Sequence, residues 1–186
     1  KSNVYAGLKG LTQKGAAVCE EHEAIKYLPV DPRLFCDNHL RYLGKVREQI
    51  IKNQPKKADV QEGYITIQGH RNIKSKIYEM MDRCEYRLYI MAGYNLVTEF
   101  KEELSKLAEA DKKVVILSDG NPDIDKTTYY AAPADGNQIR FVVDSGYVLT
   151  GICNDSDSDT CLYSGQENLV NLVKETIKSR MLLSEK

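Results

Sequence analysis

Apolar positions change rhythm three times along the 186 residues. Near the start, Val4, Tyr5, Leu8 and Leu11 recur at helical spacing behind Ser2 as N-cap, and Lys14-Gly15 reads as a cationic last turn with a left-handed cap. "AAVCEEHEAIKYLPV" then gives two short β-prone runs, 17–20 and 24–30, around the polar tip Glu21-His22-Glu23. Asp31 as N-cap and Pro32 at the first helical position open a long helix that Pro55 stops after Gln54. Its residues Cys36, Leu40, Leu43, Val46 and Ile50 fall on one stripe, widened by Leu34, Phe35 and Ile51. Such a stripe is either the seam of a paired helix or a face packed on its own chain; a connector this long seldom stands alone, which favours dimerisation.

The polar, aperiodic "PKKADVQEG" places a linker at 55–63. Beyond it come a strand in "YITIQG", a helix in "HRNIKSKIYEMMDRC", a strand in "YRLYIMAG", a helix in "LVTEFKEELSKLAEAD" and an apolar strand in "KKVVILSDG". That alternation predicts an α/β layer with a largely parallel sheet. Four short runs follow, "TTYYAA", "QIRFVVD", "YVLTGIC" and "TCLYSG", split by Asp135-Gly136, Ser145-Gly146 and the acidic loop "NDSDSD". A closing helix over 166–183 turns Leu169, Leu172, Val173, Ile177 and Met181 inward, and the two outer helices of this domain are expected to cover one face of the sheet. The fold class is therefore α/β in its larger part and α+β overall, with a mixed sheet once the late hairpins are included.

Composition narrows the function classes. With 42% hydrophobic and 28% charged residues the chain has the make-up of a soluble globular protein, and no run approaches the roughly 20 apolar residues of a membrane span. Five cysteines, odd in number and irregularly spaced, read as reduced thiols of a cytoplasmic protein. Cys19 with His22 lacks the second ligand pair of a structural zinc site. The formal net charge of −1 hides an asymmetry: residues 1–57 carry 11 Lys and Arg against 6 Asp and Glu, whereas residues 58–186 carry 15 against 21. A basic arm on an acidic body directs any polyanion to the N-terminal part, unless these charges are only solvated helix faces.

The order of parts, with "IKYLPVDP" leading into the long helix, then "GHRNIKSKIYEMMDRCEYRLYI" and the ending "CLYSGQENLVNLVKETIK", resembles the TrmB-like family of transcriptional regulators. The resemblance implies the C-terminal half of a winged helix-turn-helix over 1–31, a dimerisation helix over 32–54, the linker 55–63, and a phospholipase-D-like regulatory domain over 64–186. It also implies that the first helix is the recognition helix, met partway through its winged-helix head. Double-stranded DNA is then the expected partner of a homodimer. Base and phosphate contacts would come from Lys1, Ser2, Asn3, Lys9 and Lys14, and from Lys26 or His22 on the wing, whose Glu20, Glu21 and Glu23 would repel phosphate. For each, the plain alternative is a helix cap or a solvated surface charge.

Phospholipase D relatives attack phosphorus with a His-x-Lys pair, and the sequence has none; its three His residues are His22, His39 and His70. No nucleophile elbow and no glycine-rich dinucleotide fingerprint is present, so neither enzyme activity nor a cofactor is expected. Asp155, Asp157 and Asp159 echo a calcium loop, but Thr160 and Gln166 stand where Gly and Glu are needed. What remains is a small-molecule effector site at the strand ends, with Tyr94, Asn95, Asp119, Asn121 and Asp144 as candidates, each also a plain turn former. Sugars serve the family through an additional C-terminal β domain beyond the α/β part, so a sugar is not assumed. The rival readings are a phosphodiesterase or nuclease, and a protein-interaction module that never touches DNA.

Overall fold

The computed structural model describes residues 2–21, 25–54, 63–133 and 137–184. The chain divides into two compact units, Lys1–Ala58 and Asp59–Lys186.

In the first unit, helix α1 (Ser2–Gln13) already includes Ser2, so this residue is not the cap. Gly15 takes φ 76°, and the Ala16 N–H reaches back to the Leu11 carbonyl at 2.9 Å, which ends the helix on a left-handed residue. Strands β1 (Ala17–Glu21) and β2 (Ile25–Pro29) pair antiparallel, with Glu20 opposite Lys26. Helix α2 (Pro32–Lys52) starts where Asp31 accepts the Arg33 and Leu34 N–H groups at 2.8 and 3.3 Å. It stops two residues before Gln54, and none of its residues is buried. Ala17 is the one buried apolar residue among those described in this unit.

The second unit holds a seven-stranded sheet. Its strands are β3 (Ile65–Gln68), β4 (Arg87–Met91), β5 (Lys113–Ser118), β6 (Thr128–Ala131), β7 (Gln138–Val143), β8 (Tyr147–Ile152) and β9 (Thr160–Ser164). The order across the sheet is β3-β9-β8-β7-β4-β5-β6. Only β4, β5 and β6 run parallel as neighbours; β3, β9, β8, β7 and β4 are joined by antiparallel pairs. The sheet is thus mixed and less parallel than the strand-helix alternation suggests, because β3 leaves its sequence neighbour β4 and pairs with β9 at the far edge.

The helices are α3 (His70–Asp82), α4 (Tyr94–Glu99), α5 (Lys101–Glu109) and α6 (Glu167–Ser184). The expected single helix over 96–111 is broken at Phe100, which ends α4 and begins α5 with its ring fully buried. Alternate strand residues serve two cores. Leu88, Ile90, Val114, Ile116 and Phe141 face α3, α4 and α5, whereas Met91, Val115, Leu117, Val142 and Val148 face Val170, Val173 and Ile177 of α6. The outer helices α3 and α6 therefore lie on opposite faces, correcting the expectation that both cover one. Leu172 points away from the core and is 62% exposed. At Gly151 the backbones of β8 and β9 approach so closely that a Cβ would lie 2.6 Å from the Cα of Cys161.

Candidate functional site

Four of the five expected effector residues meet at one edge of the large sheet. Because β4 and β5 are parallel, their C-terminal ends deliver Tyr94 and Asn95, then Asp119 and Asn121, to the same edge. The antiparallel β7 begins there with Asn137 and Gln138, and the end of β8 adds Cys153, Asn154 and Asp155. Together with Glu99 they enclose an open cleft of about 840 Å³.

Hydrogen bonds fix its floor. The Asp119 carboxylate accepts the Tyr94 N–H at 2.7 Å and, more weakly, the Ser118 hydroxyl at 3.4 Å. The Tyr94 side chain packs closely on Gly120, where a Cβ would come within 2.8 Å of its ring. Asn121 turns back to accept the Asp123 N–H at 2.9 Å. From α3, Lys74 places its ammonium 2.7 Å from Glu99 and 2.6 Å from Asp155. The hydrogen bonds to Asp155 and then Glu99 hold that ammonium well above the usual lysine range, and the same contact lowers the Asp155 carboxyl.

Asp144 does not belong to this cleft. It follows β7 at the opposite edge of the sheet and accepts the N–H groups of Glu85, Tyr86 and Arg87, each at 2.8 Å. Burial opposes its ionisation, but these three donors and the Lys112 ammonium outweigh burial and hold the carboxyl below its usual value. Its role is to cap the entry to β4.

Sequence reasoning missed Glu99, Asn137, Gln138, Asn154 and Asp155 as lining residues. The "NDSDSD" loop was legible as polar, yet only the order β8-β7-β4-β5 brings it beside Tyr94. Within that loop buried Asp159 accepts the Asn154 and Ser156 N–H groups, which shapes the turn. Among the described residues no group of three or more His, Cys, Asp or Glu side chains is set to hold a metal ion. No Lys, Arg or His side chain among the described residues lines the cleft. His70 is apart from it, its buried Nδ1 without a hydrogen-bond partner and 3.6 Å from Asp157.

In the first unit Asn3, Lys9, Lys14 and Lys26 are exposed. Lys1 and His22 lie outside the described residues, as does the Ser2 side chain. On α2, Cys36 is exposed, Leu40, Leu43 and Ile50 are 67%, 56% and 65% exposed, and Val46 is half-buried. Among the described residues no helix is long and apolar enough to cross a membrane.

The chain thus combines a helix-and-hairpin unit that carries a long exposed helix with an α/β unit that has a cleft at its strand ends, an α+β protein overall. The chain belongs to the TrmB family of transcriptional regulators: the family described as "Transcriptional regulator TrmB, EBD N-terminal subdomain" matches residues 63–173. No curated protein matches the sequence. Among solved structures the chain is similar to TrmBL2, described as an archaeal chromatin protein with a novel mode of DNA binding, at 17% identity and a TM-score of 0.57 over 94% of this chain and 78% of that one. It is also similar to NucT from Helicobacter pylori, at 12% identity and a TM-score of 0.49 over 67% of this chain and 98% of that one. The third is Nuc, a phospholipase D family member from Salmonella typhimurium, at 12% identity and 0.48 over 63% and 94%.

Proposed function

We propose that this protein is a dimeric, DNA-binding transcriptional regulator with a non-catalytic α/β domain that senses a small effector. Residues 1–31 form the DNA-reading part, 32–54 the dimer clamp, 55–63 the linker and 64–186 the sensing domain. The observation that carries the reading is the apolar stripe of α2, whose Leu40, Leu43 and Ile50 stay more than half exposed in the single chain. Exposed leucines and isoleucines spaced by three and seven, with Val46 between them on the same stripe, are what a second helix covers. Two-fold pairing would set two α1 helices to read half-sites separated by about one turn of DNA, roughly 34–36 Å. Asn3 and Lys9 would then face bases and phosphates, with Lys14 and Lys26 flanking. Lys26 sits opposite Glu20, which offsets part of the acidic wing.

An effector in the cleft of Tyr94, Asn95, Asp119 and Asn121 acts by binding one arrangement of the pair better than the other. The sequence has no His-x-Lys pair of the kind with which phospholipase D relatives transfer phosphoryl groups, which supports sensing over turnover. Light scattering on the chain tests the clamp: a dimer is expected, with a monomer for the pair Leu43→Glu and Ile50→Glu. A wild-type chain that stays monomeric at high concentration would sink the two-fold regulator. DNA affinity that falls steeply with salt is expected of the dimer, and a salt-insensitive chain would favour the protein-interaction reading.

A further inference from the structure

We propose that the cleft beside Tyr94 takes a small organic cation, its ammonium group seated between the Tyr94 ring and the Asp119 carboxylate. The inference rests on the reading of this cleft as the effector site and names the class of effector. Acidic side chains alone would be ordinary solvated surface. What sets this place apart is an aromatic side chain packed in place within the same open cleft. The Tyr94 ring is held against Gly120 with no room for a Cβ between them, remains 42% exposed, and follows directly from the backbone N–H that Asp119 fixes at 2.7 Å. Tyr94 and Asp119 line the same cleft, and an aromatic ring with a carboxylate in one cleft is the combination that recognises ammonium groups.

Charge makes the choice of class. Glu99, Asp119 and Asp155 line the cleft, and among the described residues no cationic side chain does. Lys74 sits behind Glu99 and Asp155 and satisfies both, which leaves Asp119 with neutral donors only and the cleft with a negative excess. An anion entering here would meet like charge without a partner, whereas a cation is drawn in by the acidic body of residues 58–186. The fold makes both halves of the contact elsewhere: Lys76 holds its ammonium 4.0 Å from the Tyr163 ring, and Lys74 holds its own between two carboxylates. The amides of Asn95, Asn121, Asn137, Gln138 and Asn154 around the rim would serve polar groups on the rest of the ligand.

Isothermal titration calorimetry on the whole chain tests this with putrescine and choline as cationic probes, glucose as a neutral one and inorganic phosphate as an anionic one. An amine is expected to bind once per chain, at least tenfold more weakly in Asp119→Asn and several-fold more weakly in Tyr94→Leu. Asp111→Asn, at the other end of β5, removes the same charge outside the cleft and should change nothing. Glucose or phosphate bound in place of the amines, and lost in the Asp119 and Tyr94 variants, would overturn the cation while leaving the cleft as a sensor. Amine binding indifferent to both variants would overturn the placement. Binding of none of the four would overturn the cation and the effector reading together.

Discussion

Removing the Asp144 carboxylate should loosen the α/β unit without touching its cleft. Two oxygens there satisfy three successive backbone donors, those of Glu85, Tyr86 and Arg87, at 2.8 Å each. Hydrogen bonds to a charged acceptor contribute about 1.5–3 kcal/mol each in favourable settings. Here the carboxylate is only half-buried and Glu85, Tyr86 and Arg87 are exposed, so water screens the charge and replaces part of what is lost. About 1 kcal/mol per bond is the better figure, and Asp144→Ala adds about 1 kcal/mol because its φ of 50° suits Asp or Asn but not Ala. We expect Asp144→Ala to cost about 3–4 kcal/mol and Asp144→Asn, which keeps an acceptor and tolerates the backbone, about 1–2 kcal/mol. Urea unfolding followed by circular dichroism reads these as midpoint shifts of about 1.5–2 M for alanine, at a slope of about 2 kcal/mol per M. The acid limb gives a second reading. A carboxyl whose folded value is depressed stabilises above its unfolded value of about 3.9, and that stability disappears as pH falls through the lower folded value. The gap between wild type and Asp144→Asn should therefore be full at pH 6 and close below pH 4. An alanine variant within 1 kcal/mol of wild type, or a gap that persists in acid, would refute the capping account.

Phe141→Ala, fully buried between α3 and the sheet, should cost about 3–5 kcal/mol and lower the melting temperature with no change in oligomeric mass. Lys74→Met should destabilise at neutral pH; since the folded lysine value is raised, the difference should persist up to the unfolded value near 10.4 and fade as pH climbs beyond it, as thermal melts across pH would register. In native buffer at pH 8 a thiol reagent should reach Cys19 and Cys36 but not buried Cys84, Cys153 or Cys161; burial pushes the Cys84 thiol up to about 11 and Cys161 up to about 12. If α2 is the clamp, Cys36 should react more slowly in the wild-type chain than in the Leu43→Glu, Ile50→Glu variant.

Local signals were legible where one short stretch decides the outcome. Asp31-Pro32 marks the start of α2 because a carboxylate and a fixed φ act within three residues, and Gly15 marks the end of α1 because φ there is positive. Tyr94, Asn95, Asp119 and Asn121 could be grouped because parallel strands send their ends to one edge. Asp144 was misplaced for the converse reason: β7 runs against β4, so a residue after its end stands on the opposite edge, a fact of sheet order that no local pattern carries. The same order brings the β8–β9 loop to the cleft, and so hid Asn154 and Asp155. The break at Phe100 eluded the 3.6-residue period because the apolar positions on either side stay in phase while the ring turns inward.

The contact at Gly151 has a genetic consequence. Every amino acid one nucleotide change away from a glycine codon carries a Cβ, and a Cβ here falls on the backbone of β9. Position 151 should thus stand empty in a saturation library scored for folded protein, and a comparison of related genes would show an unvarying residue there. Such invariance would invite assignment to the cleft, yet it would report only how closely two strands pass.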